Sequence, residues 1–231
     1  MHEVHAVTNP RMISVSRRTD VPACHADWFL AALKVGGIEV PDPYGRTAKE
    51  VRFDQVLAAV FWSKNPAPLI PVLEIVTRFI PAWYFHFTLN DYPGLERNIP
   101  PLEVRIETFR TLATAWGAGR VVWRCDPLVA AAGVGVRPLL ERIRRIGDRL
   151  AGYTDTLVFS FLQMGDYRHV RAHLAAHKIP VRDWTSDERR ELAAGLAAAA
   201  REWGMQPAAC ALPDDFSALG IVPARCIDDR R

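Results

Sequence analysis

The chain has 231 residues, of which 49% are hydrophobic and 24% are charged, and its formal net charge is +3. These values are typical of globular proteins and exclude a disordered, collagen-like or coiled-coil chain. No apolar run reaches the roughly 18 residues of a membrane-spanning helix, and the N-terminus lacks the layout of a signal peptide, so we expect a cytoplasmic protein that spans no membrane. A net charge of +3 neither predicts nor excludes nucleic-acid binding.

Short apolar runs predict strands along the whole chain. In chain order they are Met12 to Ser16, Ile38 to Val40, Val56 to Trp62, Trp83 to Leu89, Val121 to Arg124, Leu157 to Leu162 and Gln206 to Leu212, with residues 220–222 as a further candidate. Most of these runs are apolar at successive positions, which is typical of strands in a sheet that is covered on both faces.

Stretches with helical periodicity lie between these runs. They are Asp27 to Leu33, Leu69 to Phe79, Leu102 to Trp116, Leu139 to Leu150 and Thr185 to Gly204. Pro101 and Gly117 bound the third helix, and a capping box at Thr185-Ser186-Asp187-Glu188 begins the last one. The arginines between Arg137 and Arg149 alternate with Glu141 and Asp148, which indicates a solvated helix face rather than a nucleic-acid patch.

Alternating strands and helices predict an α/β fold with parallel strands, because each parallel connection needs a crossover that can hold a helix. Six or seven such units predict a TIM-barrel-like (βα) barrel that is incomplete or smaller than eightfold, in one domain over residues 1–231. An open, doubly wound sheet is the alternative. No Gly-rich loop follows the first strand, so a dinucleotide-binding version is disfavoured.

Polar residues follow nearly every predicted strand at its carboxyl end. In an α/β barrel these ends meet at one face, where ligands bind. The expected substrate-binding residues are Ser16, Arg17, Arg18, Asp20, Asn65, Asn90, Arg124 and Gln163.

The arginines in this set favour an anionic ligand, because a planar guanidinium matches carboxylate and phosphate groups. At most one of the neighbouring residues Arg17 and Arg18 is expected to point into the mouth. The alternative for that arginine is an ion pair with Asp20 or Asp126. Arg124 and Asp126, two positions apart, can bracket a ligand or pair with each other.

His86, Asp126 and Lys64 are the candidate catalytic residues. His86 shares one face of its strand with Tyr84, opposite Phe85 and Phe87, and its alternative is a core histidine whose polar atoms are satisfied. Lys64 could bind an anion or act as a base, or it could be a solvated loop residue.

The four cysteines show no local metal-binding spacing. Cys210 and Cys226 could meet in space as metal ligands, with His86 or Asp228 completing the site. The alternative for every cysteine is a small buried apolar residue, and disulfides are not expected in a cytoplasmic protein.

Several longer motifs carry a family resemblance. They are ISVSRRTDVPA from Ile13, VFWSKNPAPLIP from Val60, YFHFTLNDY from Tyr84, VVWRCDPL from Val121, the region from Gly152 to Met164, and Cys210 together with CID at Cys226. Through these motifs the chain is identified as a member of domain of unknown function family 1848. Cys125 stands where the family's RYDP segment has tyrosine, and Cys24 where an aromatic residue is expected.

The resemblance implies a TIM-barrel-like protein without a settled activity. Many relatives continue past the CID segment into a CxxxCxxC cluster, which is similar to the iron–sulfur motif of radical S-adenosylmethionine enzymes and of proteins like spore photoproduct lyase. This sequence stops at Arg231 and lacks those three thiolates. No cofactor is therefore expected from the chain itself, whereas an iron–sulfur cluster and S-adenosylmethionine are implied for longer relatives.

The residues together favour an enzyme that binds a small anionic molecule, phosphorylated or nucleotide-like, at the mouth of a barrel. Two alternatives remain open. One is a cofactor-free anion-binding or scaffold module, and the other is a metal-dependent hydrolase, which would need at least three converging ligands.

Overall fold

The computed structural model describes residues 11–16, 19–41, 48–96, 98–131, 134–165, 172, 174, 176 and 179–228. Residue contacts divide the chain into two compact units, residues 1–87 with 229–231 and residues 88–228. We call them unit 1 and unit 2 and describe each by itself. No helix among the described residues has both the length and the apolar character that crossing a membrane requires.

Unit 1 is built on three parallel strands in the order β1-β4-β5. Its elements are β1 (Met12–Val15), α1 (Val21–Cys24), α2 (Ala26–Val35), β2 (Gly37–Pro41), β3 (Ala48–Arg52), β4 (Ala58–Ser63), α3 (Leu73–Phe79) and β5 (Ala82–Thr88). The strands β2 and β3 form a separate antiparallel hairpin. The helix α3 begins later than predicted, after a 3₁₀ turn over Ile70–Val72, because Pro71 favours the first turn of a helix over its interior.

The two faces of the unit 1 strands differ in what they contact. Phe61 stacks on Phe85 and meets Phe29 of α2 edge-on, with ring centroids 4.9 and 5.6 Å apart. The indole of Trp83 donates a hydrogen bond to Thr77 of α3 over 2.9 Å. Successive strand residues alternate between faces, so Tyr84 and His86 lie on the face opposite α2 and α3, as the sequence predicted.

Unit 2 contains four parallel strands in the order β6-β8-β10-β11. Its elements are α4 (Leu102–Trp116), β6 (Val121–Arg124), β7 (Ala130–Ala131), α5 (Val136–Leu150), β8 (Thr156–Phe159), β9 (Val181–Arg182), α6 (Ser186–Trp203), β10 (Gln206–Ala209) and β11 (Val222–Pro223). The short strands β7 and β9 pair antiparallel. The connections between the parallel strands contain α5 and α6, which is why these strands can run in the same direction.

The helices of unit 2 carry the predicted features. The side chain of Thr185 accepts the backbone N–H of Glu188, and the Glu188 carboxylate accepts that of Thr185, so the capping box begins α6 as expected. The arginines of α5 form exposed ion pairs, such as Arg144 with Glu202 and Arg149 with Glu103. A solvated helix face is therefore the correct interpretation of this charge cluster.

The α/β fold is confirmed, since parallel strands and helices alternate in both units. Closure of the strands into a barrel and organisation as one domain stay predictions. The run Ile38 to Val40 is a strand, but it pairs with β3 rather than joining the parallel set. The strand β3 was not predicted, because Ala48–Arg52 is mostly charged and lacks an apolar run.

Candidate functional site

The carboxyl end of β6 holds a buried ion pair. Arg124 is the last residue of β6 and is 5% exposed. Its Nε donates to both carboxylate oxygens of Asp126, over 3.0 and 3.1 Å, and its Nη2 donates to the same group. The pairing that the sequence left open is thus present, and it leaves the guanidinium without a net uncompensated charge.

The electrostatics of Arg124 follow from these neighbours. Burial opposes the charged guanidinium, but the hydrogen bonds and the charge of Asp126, followed by those of Cys210, outweigh burial and raise the pKa of Arg124 above its ordinary value. Arg124 therefore keeps its positive charge beside Asp126, and Cys210 belongs to the same cluster.

Asn90 lies beside this ion pair and is held at two points. The side-chain Nδ2 of Asn90 donates to the backbone carbonyl of Asp126 over 2.9 Å. The backbone carbonyl of Asn90 accepts a hydrogen bond from Nη2 of Arg105 over 3.0 Å. Asn90 is 3% exposed, and its Oδ1 has no hydrogen-bond partner among the described residues. The result is a buried acceptor in a fixed orientation.

Arg105 and Tyr92 support this cluster and were not predicted. Arg105, 5% exposed, also donates through Nε to the carbonyl of Pro100. The hydroxyl of Tyr92 donates to the carbonyl of Pro127 and accepts the N–H of Val129, which holds the segment after Asp126. A signal for Arg105 exists, because it lies on the apolar stripe of α4, one turn before Phe109.

Cys210 and Cys226 come together, as the metal-site prediction required. Their Sγ atoms are 3.9 Å apart. Cys210 is buried at the end of β10, where its N–H donates to the carbonyl of Phe159, whereas Cys226 is exposed. Partial burial, followed by the neighbouring Cys210, raises the pKa of Cys226. The alternative of small buried residues is wrong for Cys24 and Cys226, which are both exposed.

The donor set does not fit an iron–sulfur cluster. Within the described ranges, no group of three or more His, Cys, Asp and Glu side chains is placed to hold a metal ion. Cys210 and Cys226 supply two thiols. A cluster needs more thiolates than this pair supplies.

In unit 1, Asp20 links two predicted site segments. One carboxylate oxygen accepts the N–H of Ala23 and caps α1, and the other accepts the N–H of Lys64 over 2.8 Å. Lys64 follows β4 directly, so this carboxylate ties the carboxyl end of β4 to the segment after β1. Asp20 thus has a structural part that the sequence analysis did not anticipate.

Ser16 and Asn65 lie in the same two turns. The hydroxyl of Ser16 accepts the N–H of Val21 over 3.1 Å, and the backbone of Ser16 has a φ of 97°. The N–H of Asn65 donates to the hydroxyl of Ser63. These bonds shape the two turns and do not involve the side-chain amide of Asn65.

His86 lies on an aromatic face of unit 1. Its ring stacks on Trp62 with centroids 4.1 Å apart and meets Tyr84 edge-on at 5.3 Å. The Trp62 indole donates to the hydroxyl of Ser14 over 3.0 Å, which fixes the stacked pair. His86 is 2% exposed. This burial agrees with a core histidine and with a catalytic one, so both interpretations stay open.

The structure therefore assembles the predicted residues in two groups. Unit 2 joins Asn90, Arg124 and Asp126 with the two cysteines, and unit 1 joins Asp20 with Lys64. Gln163 is half-buried after β8. Arg17 and Arg18 lie outside the described residues. A common mouth for all these residues stays a prediction.

Comparisons with known proteins bear on the family alone. A search of curated proteins finds no match to this chain. Among solved structures, one similar chain is a Bacteroides thetaiotaomicron VPI-5482 protein provisionally named an alpha-L-fucosidase, with 10% identity, a TM-score of 0.32 and coverage of 91% of this chain and 81% of that one. That likeness carries no argument here. The family model described as Domain of unknown function (DUF1848) matches residues 12–231, so the chain belongs to this family, as its motifs predicted.

Proposed function

We propose that this chain is an enzyme that binds a small anionic molecule, phosphorylated or nucleotide-like, at the carboxyl ends of its parallel strands. The observation that carries the proposal is the preformed polar cluster of Asn90, Arg124 and Asp126. Ligand sites of parallel α/β proteins gather at this edge of the sheet. The proposal includes the TIM-barrel-like closure expected from the sequence, which the parallel strand order within each unit supports.

Arg124 is the proposed anion-binding group. Its guanidinium is held rigidly by Asp126, so little side-chain entropy is lost when a ligand binds. Hydrogen bonds from a charged donor to phosphate are stronger where water is excluded. Because Asp126 balances the charge of Arg124, net charge does not select the ligand. The ligand is selected by the directions in which the N–H donors of the guanidinium point.

Asn90 narrows the ligand class. Leaving a buried acceptor without a donor costs about 1–3 kcal/mol, and a ligand that donates to Oδ1 removes that cost. Inorganic phosphate has donors only on the phosphate group itself, whereas a nucleotide also carries amino and hydroxyl donors at a distance from its phosphate. The Oδ1 of Asn90, which no described residue supplies with a donor, therefore favours a nucleotide-like ligand over a simple anion.

Asp126 is the proposed acid–base group of this site, because its carboxylate lies within the cluster. His86 and Lys64 are proposed as further catalytic residues. Burial among aromatic rings supports His86, because little water competes for its imidazole there.

An anion-binding module without catalysis is the second candidate. It is favoured by the engagement of both Asp126 oxygens with Arg124, since a carboxylate held in this way is less available to move a proton. Turnover distinguishes the two candidates, because both predict binding and only the enzyme predicts a product.

The test is isothermal titration calorimetry with a nucleoside monophosphate, the corresponding nucleoside and inorganic phosphate. Arg124→Lys should weaken binding of the nucleotide about ten- to hundredfold, since a hydrogen bond to a charged group contributes about 1.5–3 kcal/mol and lysine cannot replace the fork. Lysine keeps a positive charge for Asp126, so the fold is retained.

Arg149→Lys is the matched control, because Arg149 is an exposed arginine of the same unit with its own acidic partners. It should leave the affinity unchanged. Equal weakening by both variants, or no binding of either phosphate compound to the unaltered chain, would disprove the proposed site. Asn90→Ala should lower nucleotide affinity more than phosphate affinity if Oδ1 reads the ligand.

A further inference from the structure

We propose that Cys210 and Cys226 form a reversible disulfide by exchange with small disulfides such as oxidised glutathione. The site is the pair of thiols at the carboxyl ends of β10 and β11, and its substrate class is a low-molecular-weight disulfide. This inference does not rest on the proposed ligand site.

The geometry brings the two sulfurs within reach of a bond. Their Sγ atoms are 3.9 Å apart, and a disulfide needs a separation of about 2.0 Å. Rotation about the side-chain torsion of Cys226, which is exposed, can supply most of that movement. No large rearrangement of a strand is required.

The backbone holds the two segments in register. Ala208 and Ala209 pair with Val222 and Pro223, and the N–H of Ala224 donates to the carbonyl of Ala209 over 2.8 Å. These bonds place the chain before Cys226 alongside the chain before Cys210. Strand pairing thus brings together the two segments that carry the thiols.

The difference in exposure sets the order of the steps. The exposed Cys226 thiolate attacks the small disulfide, a mixed disulfide forms, and one small thiolate leaves. The Cys210 thiolate then attacks the Cys226 sulfur, the protein disulfide forms, and the second small thiolate leaves. The protein loses two electrons and two protons, and the small disulfide becomes two thiols.

A two-thiol metal site is the competing interpretation of the same pair. Among the residues that the structure describes, no third His, Cys, Asp or Glu side chain is placed with the two sulfurs to hold a metal ion, and two thiols alone do not complete a tetrahedral site. A disulfide needs no third ligand. The set of available ligands therefore favours redox chemistry over metal binding.

The experiment uses the chain with Cys24→Ser, because Cys24 is exposed and would add its own adduct. After incubation with oxidised glutathione and removal of the excess, intact-mass spectrometry should show the loss of two hydrogen atoms and no glutathione adduct. Peptide mapping should link residues 210 and 226, and reduced glutathione should reverse the change.

Two further variants in this background resolve the steps. Cys210→Ser should retain one stable glutathione on Cys226, because the resolving thiol is missing. Cys226→Ser should react at least about tenfold more slowly, since the remaining Cys210 is buried. Serine differs from cysteine in one atom, and circular dichroism confirms that each variant is folded.

Three results would overturn the proposal. They are a glutathione adduct that persists when both cysteines are present, a chain that keeps both thiols reduced under oxidised glutathione, and a mapped link that involves Cys125 instead. The same chain incubated with Zn²⁺ provides a fourth: stoichiometric zinc that blocks the exchange would favour the metal interpretation.

Discussion

Arg124, Asp126 and Asn90 show how single residues build the candidate site. Spacing alone predicted that Arg124 and Asp126 could point the same way, because they are two positions apart at a strand end. The contact with Asn90 joins residues 36 positions apart. No local pattern signals such a contact, and it depends on how the segment that holds Asn90 folds against the segment that follows β6.

Replacing only one residue of the ion pair between Arg124 and Asp126 should lower the free energy of unfolding. Arg124→Met leaves the Asp126 carboxylate, which is 11% exposed, without its cation. We expect the free energy of unfolding, measured by urea denaturation, to fall by about 3–5 kcal/mol. Replacing both residues, as Arg124→Met with Asp126→Leu, should restore most of this loss, since no uncompensated charge remains.

Arg144→Met is the control for this prediction. Arg144 pairs with Glu202 at the surface, where the side chains are 43% and 57% exposed. Its loss should change the free energy of unfolding by about 1 kcal/mol or less. A similar cost for the two single variants would show that Arg124 is not held in a desolvated pair.

At the scale of elements, α5 and α6 pack through glycines. A Cβ at Gly147 would lie 2.3 Å from the ring of Trp203, and one at Gly195 would lie 2.6 Å from a terminal methyl of Leu140. Trp203 is fixed by a hydrogen bond from its indole to Asp148, whereas the end of Leu140 can rotate. The two helices can approach closely only because both positions lack a side chain.

Gly147→Ala should therefore destabilise the chain despite the higher helix propensity of alanine. We expect a loss of about 1–3 kcal/mol in the free energy of unfolding, since Trp203 cannot move without strain. Gly195→Ala should cost clearly less, because the Leu140 side chain can yield. Urea denaturation measures both losses. A larger loss for Gly195→Ala than for Gly147→Ala would contradict this account.

The capping box of α6 gives a second prediction at this scale. Thr185→Ala removes the side-chain acceptor for the N–H of Glu188 and should cost about 1 kcal/mol. The neighbouring Ser186→Ala, whose hydroxyl does not cap the helix, should cost less than about 0.5 kcal/mol. Thermal unfolding followed at helical wavelengths measures both, and equal effects would contradict a specific cap.

At the scale of the whole molecule, buried protonated groups link folding to pH. Burial, followed by the charge of Asp126, raises the pKa of Cys125. Burial, followed by Cys125, raises the pKa of Tyr92. Both groups hold their protons in the folded chain to a higher pH than in the unfolded chain, so the unfolded chain binds fewer protons above its own pKa values and stability falls as pH rises.

We therefore expect stability to decline in alkaline solution. The free energy of unfolding should begin to fall near pH 8.5, where an unfolded thiol ionises, and more steeply beyond about pH 10, where tyrosine follows. Each group contributes about 1.4 kcal/mol per pH unit above its unfolded pKa. Cys125→Val should remove the first part of the decline, and a parallel pH profile for parent and variant would refute this origin.

Apolar periodicity was sufficient to predict most of the elements. The helix Leu102–Trp116 and the strand Val121–Arg124 agree with the prediction at both ends. The strand β3 was missed because three of its five residues are charged, and a polar strand carries no apolar pattern. The α/β fold follows from local patterns, since each strand and the helix that connects it to the next strand form one continuous stretch of sequence.

The sequence by itself determined the α/β class, the family and the residue types at the strand ends. It did so because periodicity, caps and motifs are local properties of the chain. Only the tertiary structure decided that Arg124 is neutralised by Asp126, that Asn90 keeps an acceptor without a partner among the described residues, and that Cys210 meets Cys226. These facts depend on which strands pair and in which register, and residues distant in the chain become neighbours only through that pairing.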